Sequence, residues 1–329
     1  MTNTSRKDGR ATDQLREIAI TPNYLEQPYS SVLVEFGLTK VVCAVSIEEA
    51  LPRWMMNEPK EFWRGWVTSE YSMLPFSSGQ GRMQRESARG RQGGRTLEIQ
   101  RLIGRSFRSV VRLDRLGQRT LWVDCDVLQA DGGTRTASIT GGFVALAVAL
   151  EKMARDGKID GRPWSEYVAA VSVGLIDGEP MLDLTYDEDY RADTDMNIVM
   201  TESGRFVEVQ GTAEEQPFSH DELDTLLALG QKGIAELIEL QKEAVRIGLD
   251  ELWLGLRLSS VSREHNRKCL GSRSRTSRKV ARRSREAATA ASLGRKAQEQ
   301  RHKKQSRAPK VQQNESYSPA CRPFGAWII

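Results

Sequence analysis

A change in composition after residue 245 sets the main limit on how this chain can fold. Residues 246–329 contain 20 lysines and arginines against 6 acidic residues, whereas residues 1–245 contain 28 against 38. The basic segment is poor in large apolar side chains, so it cannot bury enough surface to offset the entropy that ordering would cost. We therefore expect a folded domain at residues 1–245, followed by a basic, low-complexity and disordered tail at residues 246–329.

The role of this tail is open on sequence grounds. Its charge suits an electrostatic arm for RNA or another polyanion. It is equally compatible with a solvated segment that has no dedicated role, or with an altered reading frame appended to a complete domain.

Strand-like and helical patterns alternate along residues 1–245 and predict a fold of mixed α and β segments. Turn signals at Asp177-Gly178 and Ser203-Gly204 indicate two hairpins. A Ser219-x-x-Glu222 capping box marks the start of the last helix, which we expect to end near Ala244. The predicted strands are 32–36, 39–47, 66–73, 120–128, 167–176, 180–184, 197–201 and 206–210, and the other predicted helices are 97–113 and 136–153.

Several classes of function are disfavoured by what the sequence lacks. The longest apolar run, residues 143–150, is too short to span a bilayer, and residues 1–10 show no secretory pattern. We therefore expect a cytoplasmic protein that does not bind a membrane. Its four cysteines form no C-x-x-C motif and are expected to be reduced thiols. Only three histidines occur, two of them in the tail, which disfavours nucleophilic catalysis by a Ser-His-Asp or Cys-His arrangement.

Two glycine-rich loops, residues 90–96 and 131–136, each lead into a predicted helix. Both combine glycines, a helix N-terminus and an arginine, Arg95 or Arg135, which are the parts of an anion-binding site. Neither loop matches the nucleotide P-loop or the dinucleotide-binding pattern. The alternative is that the glycines only make tight turns and the arginines are solvated.

Six carboxylates crowd the segment DLTYDEDYRADTD, between two predicted strands. Carboxylates this dense repel one another unless arginines or a divalent cation lie among them, and Mg²⁺ prefers oxygen ligands. A solvated acidic loop is the alternative. Combined with two anion-binding loops, the cluster suggests metal-assisted phosphoryl or nucleotidyl transfer. The carboxylates are Asp183, Asp187, Glu188, Asp189, Asp193 and Asp195.

Three long motifs resemble the ribonuclease PH family, bacterial phosphorolytic exoribonucleases that trim the 3′ ends of tRNA. They are RESARGRQGGRTLEIQRLIGRS, WVDCDVLQADGGTRTASITG and DLTYDEDYRADTDMNIVMTESGRFVEVQGTAEE. The shorter stretches RKDGR, GLTKVVCA and VTSEYSMLP agree as well, so the resemblance covers roughly residues 5–244. Each motif occurs once, which argues against polynucleotide phosphorylase, whose chain holds two such units.

The resemblance implies a fold and a set of site residues. The fold would be α+β, with mixed sheets and packed helices. The residues implied in holding inorganic phosphate are Arg95, Gly133, Thr134 and Arg135. Those implied as metal-binding, catalytic carboxylates are Asp189 and Asp195, and those implied in guiding tRNA are Arg82 and Arg85.

The resemblance also implies the reaction and the assembly. Phosphate would attack the last phosphodiester of precursor tRNA, or also of rRNA, and release a nucleoside diphosphate in a reversible reaction. Mg²⁺ is the expected metal, with Mn²⁺ left open, and the chains would form a hexameric ring built as a trimer of dimers. Two alternatives remain: a non-catalytic RNA-binding ring subunit, which would be expected to lack part of the site, and a basic RNA-binding protein whose enzyme-like domain is only a platform.

Overall fold

A computed structural model describes residues 6–79, 81–214 and 217–251 of the chain. Most of the basic tail, including Cys269, Cys321 and the histidines His265 and His302, lies outside the described residues, as does its predicted disorder. Within them the fold is mixed α and β, as the sequence predicts, and both described cysteines, Cys43 and Cys125, are free thiols buried in the core.

The first sheet has five strands, and the alternation of apolar residues places one face of it against the core. Its spatial order is β1-β2-β3-β5-β4, with β4 parallel to β5 and every other neighbouring pair antiparallel. Val32, Val34 and Phe36 alternate on the buried face of β2. The strands are β1 (Ile18–Pro22), β2 (Ser30–Phe36), β3 (Thr39–Glu48), β4 (Trp66–Met73) and β5 (Thr120–Gln129), and a four-residue helix, α1 (Arg53–Met56), precedes β4.

Two long helices cover the buried face of this sheet. α2 (Gly94–Val110) begins three residues before the predicted start, because Gly93 serves as its N-cap, and it ends where Val111 turns to an extended conformation. α3 (Thr134–Arg155) is buried on nearly all sides, since it packs against β2, β3 and β5 and also against a strand of the second sheet. By length and apolar composition α3 could cross a bilayer, but most of it is buried here as a central core helix.

The second sheet is antiparallel and has four strands in the spatial order β7-β6-β8-β9. Both predicted hairpins are present in it. A short helix, α4 (Tyr186–Arg191), lies between β7 and β8, in the acidic segment where only a loop was expected. The strands are β6 (Val168–Ile176), β7 (Glu179–Leu182), β8 (Thr194–Thr201) and β9 (Phe206–Ala213).

The last helix, α5, occupies residues 220–251 and continues past its expected end near Ala244. Its predicted capping box is formed, because the Ser219 backbone N–H donates to Glu222 Oε2 at 2.6 Å. The extra turns are held by packing: Val245 is buried, and the side-chain amide of Asn23 donates to the Gly248 carbonyl at 2.9 Å. The helix therefore belongs to the folded domain to the end of the described residues.

Candidate active site

The N-termini of α2 and α3 present the two predicted anion-binding loops. Arg95 and Arg135 are each the second residue of their helix, and the N-caps Gly93 and Gly133 make no side-chain capping hydrogen bond. The first-turn N–H groups of both helices therefore receive no acceptor from their caps, which leaves them suited to bind an anion. Arg95 is exposed and Arg135 is partly buried.

The Asp131–Thr136 loop needs glycine at two successive positions. Gly132 and Gly133 have φ values of +74° and +65°, in the left-handed region that other residues enter at a cost. A Cβ on Gly132 would lie 2.5 Å from the carbonyl oxygen of Leu184. The loop is thus in direct contact with the segment that leads into α4, which places the start of α3 beside the acidic segment.

Asp189 on α4 and Asp195 on β8 face the two arginines. Partial desolvation and the negative charge of Asp195 raise the pKa of Asp189, while the positive charges of Arg95 and Arg135 oppose that rise. Burial and the Glu214 carboxylate raise the pKa of Asp195, again against the charge of Arg135. Asp189 therefore lies within electrostatic range of the other three residues predicted to be catalytic, and Asp195 lies within range of Asp189 and Arg135, with both carboxylates destabilised in their charged form.

Polar side chains from α2 and β9 fix the guanidinium of Arg135. Its Nη1 donates to Gln210 Oε1 at 2.8 Å and lies 3.5 Å from Glu98 Oε2. Gln210 is held in turn, because its Nε2 donates to Glu98 Oε1 at 2.9 Å. The planar guanidinium is thus oriented before any ligand binds, which lowers the entropy cost of binding an oxyanion.

A buried tyrosine lies beneath the loop. The hydroxyl groups of Tyr71 on β4 and Thr134 are 2.9 Å apart and share a hydrogen bond. Burial raises the pKa of Tyr71, and Thr134, Arg95 and Arg135 oppose this rise. Tyr71 therefore remains a neutral hydrogen-bonding group that positions Thr134.

Two of the six carboxylates of the acidic cluster are neutralised by arginines from the N-terminal segment. Arg6 donates to both oxygens of Glu188, at 2.8 and 2.7 Å, and Arg16 binds both oxygens of Asp183, at 3.0 and 2.8 Å. These four side chains are buried. Burial would raise the pKa of Glu188, but hydrogen bonds from Arg6 and Thr185 hold it below the ordinary value. We refer to these four residues as the Arg–carboxylate network.

This network changes the interpretation of the acidic segment. Asp183 and Glu188 are structural partners of arginines, so they are not available as metal ligands. Arg16 also donates to the Asp131 carbonyl at 2.6 Å, which connects the network to the glycine loop. In the part of the chain that the structure describes, no group of three or more His, Cys, Asp or Glu side chains is placed to hold a metal. Asp189 and Asp195 remain as the pair that faces the arginines.

The two arginines predicted to guide RNA lie between β4 and α2. Both are exposed. Arg85 lines a cavity of about 480 Å³ together with Glu70, Tyr71 and Gly90, and its charge acts on Asp126 of β5. Tyr71 lines this cavity and also bonds Thr134 of the Asp131–Thr136 loop, so it connects the two. Arg85 therefore lies beside the candidate site, and the structure does not bring Arg82 into contact with the other predicted residues.

Several residues of the site carry no recognisable sequence signal. Gln210 lies on a strand and Glu98 on a helix, and the two residues are 112 positions apart in the sequence. Tyr71 has only the alternating pattern of an ordinary strand residue. The capping box of α4 does have a signal, since Thr185 is followed three residues later by Glu188. The surrounding run of charge obscured that pattern.

Family models match both halves of the described fold. Residues 14–150 match the first domain of the 3′ exoribonuclease family, and residues 166–233 match its second domain. The first segment includes both glycine loops, and the second includes Asp189, Asp195 and the Arg135 partner Gln210.

Three solved structures illustrate the similarity of the fold. The exosome of Archaeoglobus fulgidus with RNA bound to the active site matches with a TM-score of 0.61 and 22% identity, over 72% of this chain and 92% of that chain. The Rrp46 protein of rice (Oryza sativa) matches with a TM-score of 0.58 and 19% identity, over 73% of this chain and 100% of that chain. An archaeal exosome core matches with a TM-score of 0.56 and 22% identity, over 73% of this chain and 92% of that chain.

Proposed function

Because the chain belongs to the ribonuclease PH family of 3′ exoribonucleases, we propose that it is a phosphate-dependent 3′→5′ exoribonuclease that trims precursor tRNA. It releases nucleoside diphosphates and also runs in reverse as a nucleotidyltransferase. One observation carries this proposal. Arg95 and Arg135 lie at two helix N-termini, where their charges act on the carboxylate of Asp189, and the charge of Arg135 also acts on Asp195.

The arginines and the helix N-termini suit inorganic phosphate as a co-substrate. A phosphate between Arg95 and Arg135 accepts bidentate hydrogen bonds from the guanidinium groups. It also accepts hydrogen bonds from the backbone N–H groups of the first helical turns. One of its oxygens forms a bond to the phosphorus of the last phosphodiester. The bond from that phosphorus to the 3′ oxygen of the preceding nucleotide breaks, and that oxygen takes a proton. The products are a shortened RNA and a nucleoside 5′-diphosphate.

Asp189 and Asp195 fit a divalent cation of the Mg²⁺ class. Mg²⁺ is commonly held by one or two carboxylates and completes its shell with water and substrate phosphate oxygens, so two carboxylates suffice here. Burial and neighbouring carboxylates raise the pKa of both groups, so a bound cation would stabilise their charged forms. When bound, the metal supplies positive charge that stabilises the developing oxyanions. Mn²⁺ suits the same oxygen ligands.

We further propose that the active form is a cytoplasmic hexameric ring, a trimer of dimers, and that rRNA precursors are additional substrates. One of the similar structures is an exosome with RNA bound to the active site, which supports RNA as the substrate class. Both Arg82 and Arg85 are exposed, and we propose that they contact the tRNA backbone, Arg85 from beside the site.

The test is to incubate the purified protein with a tRNA that carries a short 3′ extension and Mg²⁺, with and without inorganic phosphate. We expect nucleoside diphosphates only when phosphate is present. Arg95→Ala and Asp195→Ala should each lower this activity at least 100-fold, because each removes charge that acts on the reacting phosphates. Arg101→Ala, which removes an exposed arginine farther along α2, is the matched control and should keep full activity.

Other outcomes would contradict the proposal in different ways. Nucleoside monophosphates released without phosphate would indicate a hydrolytic nuclease. RNA binding without any release would favour a non-catalytic ring subunit or an RNA-binding platform. Full activity in a folded Arg95→Ala protein would remove that arginine from the proposed phosphate site.

A further inference from the structure

The face of α4 that points away from the core is aromatic. Tyr186 and Tyr190 lie one turn apart, with ring centroids 6.3 Å apart and ring planes at 24°. Their exposed fractions are 43% and 78%. Two of the three charged residues between them are paired elsewhere: Glu188 binds Arg6 in the interior, and Asp187 forms an ion pair with a surface lysine. The two rings therefore form a surface that solvent reaches, most of all at Tyr190, and we call it the tyrosine surface.

This surface adjoins the candidate active site. Residues three or four apart on a helix share a side, so Asp189 neighbours Tyr186, and Tyr190 follows Asp189 directly in the chain. The Tyr186 backbone N–H donates to Asp131 Oδ1 at 3.3 Å. Asp131 is the first residue of the loop that carries Gly133 and Arg135. The tyrosine surface thus begins where the proposed phosphate site and the proposed metal-binding carboxylates meet.

The helix that carries these rings has only six residues, but side-chain contacts fix its first turn. Its capping box is formed by Thr185 and Glu188, and Glu188 is fixed by the buried guanidinium of Arg6. The backbone positions of both tyrosines relative to Asp189 are therefore set without help from a ligand. Such pre-organisation reduces the entropy that a bound molecule would otherwise lose in ordering the site.

We propose that Tyr186 and Tyr190 form a stacking surface for a nucleobase at the 3′ end of the RNA, an inference that rests on the RNA substrate of the proposed function. A base at a single-stranded 3′ end loses its stacking partners when it enters an active site, and an aromatic ring replaces them. Stacking tolerates every base but is stronger for purines, which have the larger ring. The surface therefore places the terminal nucleotides against Asp189 with little sequence specificity and favours purines.

The test measures equilibrium binding of short single-stranded RNA to the full chain without phosphate, so that no turnover occurs. We expect Tyr190→Ala to weaken binding about five- to tenfold, and more for RNA that ends in adenosines than for RNA that ends in uridines. Tyr190→Phe keeps the ring and should bind within twofold of the parent protein. Tyr24→Ala, which removes a tyrosine of similar exposure to Tyr186 in the turn after β1, is the matched control and should bind normally.

The outcomes separate this inference from the proposed function. Unchanged binding in Tyr190→Ala, or equal losses in Tyr190→Ala and Tyr190→Phe, would overturn the tyrosine surface even if the parent protein releases nucleoside diphosphates. Conversely, a purine-dependent loss in Tyr190→Ala supports the surface even if no phosphate-dependent release is found. Unfolding midpoints of all variants check that each is folded, and Tyr190 is exposed enough for its truncation to be tolerated.

Discussion

At the scale of single residues, the candidate site makes the charged form of Asp195 unfavourable. Its carboxylate is partly buried and lies near other carboxylates, which raises its pKa. Since the folded-state pKa lies above the unfolded-state value, the stability that this group contributes is present at low pH and is lost as the pH rises through its folded-state pKa. At neutral pH the ionised Asp195 therefore destabilises the protein.

Asp195→Asn should consequently stabilise the metal-free fold at neutral pH while it removes activity. We expect a rise of about 1–2 °C in the unfolding midpoint at pH 7. The gain should disappear toward pH 4, near the ordinary pKa of an aspartate, where the parent carboxyl is protonated. Thermal unfolding in EDTA at both pH values measures this. A variant less stable than the parent at pH 7 would show that Asp195 makes favourable contacts that outweigh its charge.

The orientation of Arg135 by Gln210 gives a second prediction at this scale. Gln210→Ala removes the 2.8 Å hydrogen bond to the guanidinium and leaves Arg135 free to sample other rotamers. We expect the KM for inorganic phosphate to rise about tenfold, because a hydrogen bond to a charged group contributes about 1.5 kcal/mol, with a smaller change in kcat. Steady-state kinetics with phosphate as the varied substrate measure this, and Gln231→Ala on the exposed side of α5 is the control. A fall in kcat alone would assign Gln210 a different role.

At the scale of elements, the contact between the glycine loop and the entry to α4 determines whether the site forms. Gly132 and Gly157 have similar positive φ values, +74° and +68°, so alanine is strained at both. Only at Gly132 would the new Cβ meet backbone within 4 Å.

Gly132→Ala should therefore cost more than the matched change Gly157→Ala. We expect about 1 kcal/mol of lost stability at Gly157, from the backbone conformation alone. At Gly132 we expect at least about twice that loss, together with lower activity, because the Leu184 segment must move. Urea unfolding and phosphorolysis of both variants measure this. Equal losses at the two positions would mean that the loop can move away from α4 at little cost.

The elements also show what the sequence could predict. Period-two and helical patterns located the three long helices, α2, α3 and α5, and every strand except β1, because burial of one face imposes a local repeat. The glycine loops had local signals too, and resemblance to the family's motifs singled out Asp189 and Asp195 as a pair. The Arg–carboxylate network had no such signal, since Arg16 and Asp183 are 167 residues apart. Only the packed fold shows which carboxylates of the acidic segment are neutralised and which stay free.

At the scale of the whole molecule, the folded domain and the basic tail differ in charge, and the boundary between them can now be placed for experiment. Residues 246–251 continue α5, where Gly248 packs closely on Pro22 and Val148. Deletion from residue 246 would remove these contacts and confuse loss of the tail with loss of stability. Deletion from residue 252 removes 19 lysines and arginines and only 4 acidic residues, and it leaves every described contact of α5 in place.

Removal of residues 252–329 should therefore weaken RNA binding mainly at low salt. If the tail neutralises phosphates, its release of counterions makes the logarithm of the binding constant fall steeply with the logarithm of the salt concentration. The truncated protein should show a shallower slope and weaker binding at 50 mM salt, with phosphorolytic kcat unchanged because the candidate site lies wholly in the folded domain. Titration of tRNA into both proteins across a salt series measures this. Identical slopes would mean that the tail does not contact RNA, and would leave the solvated segment and the altered reading frame as its explanations.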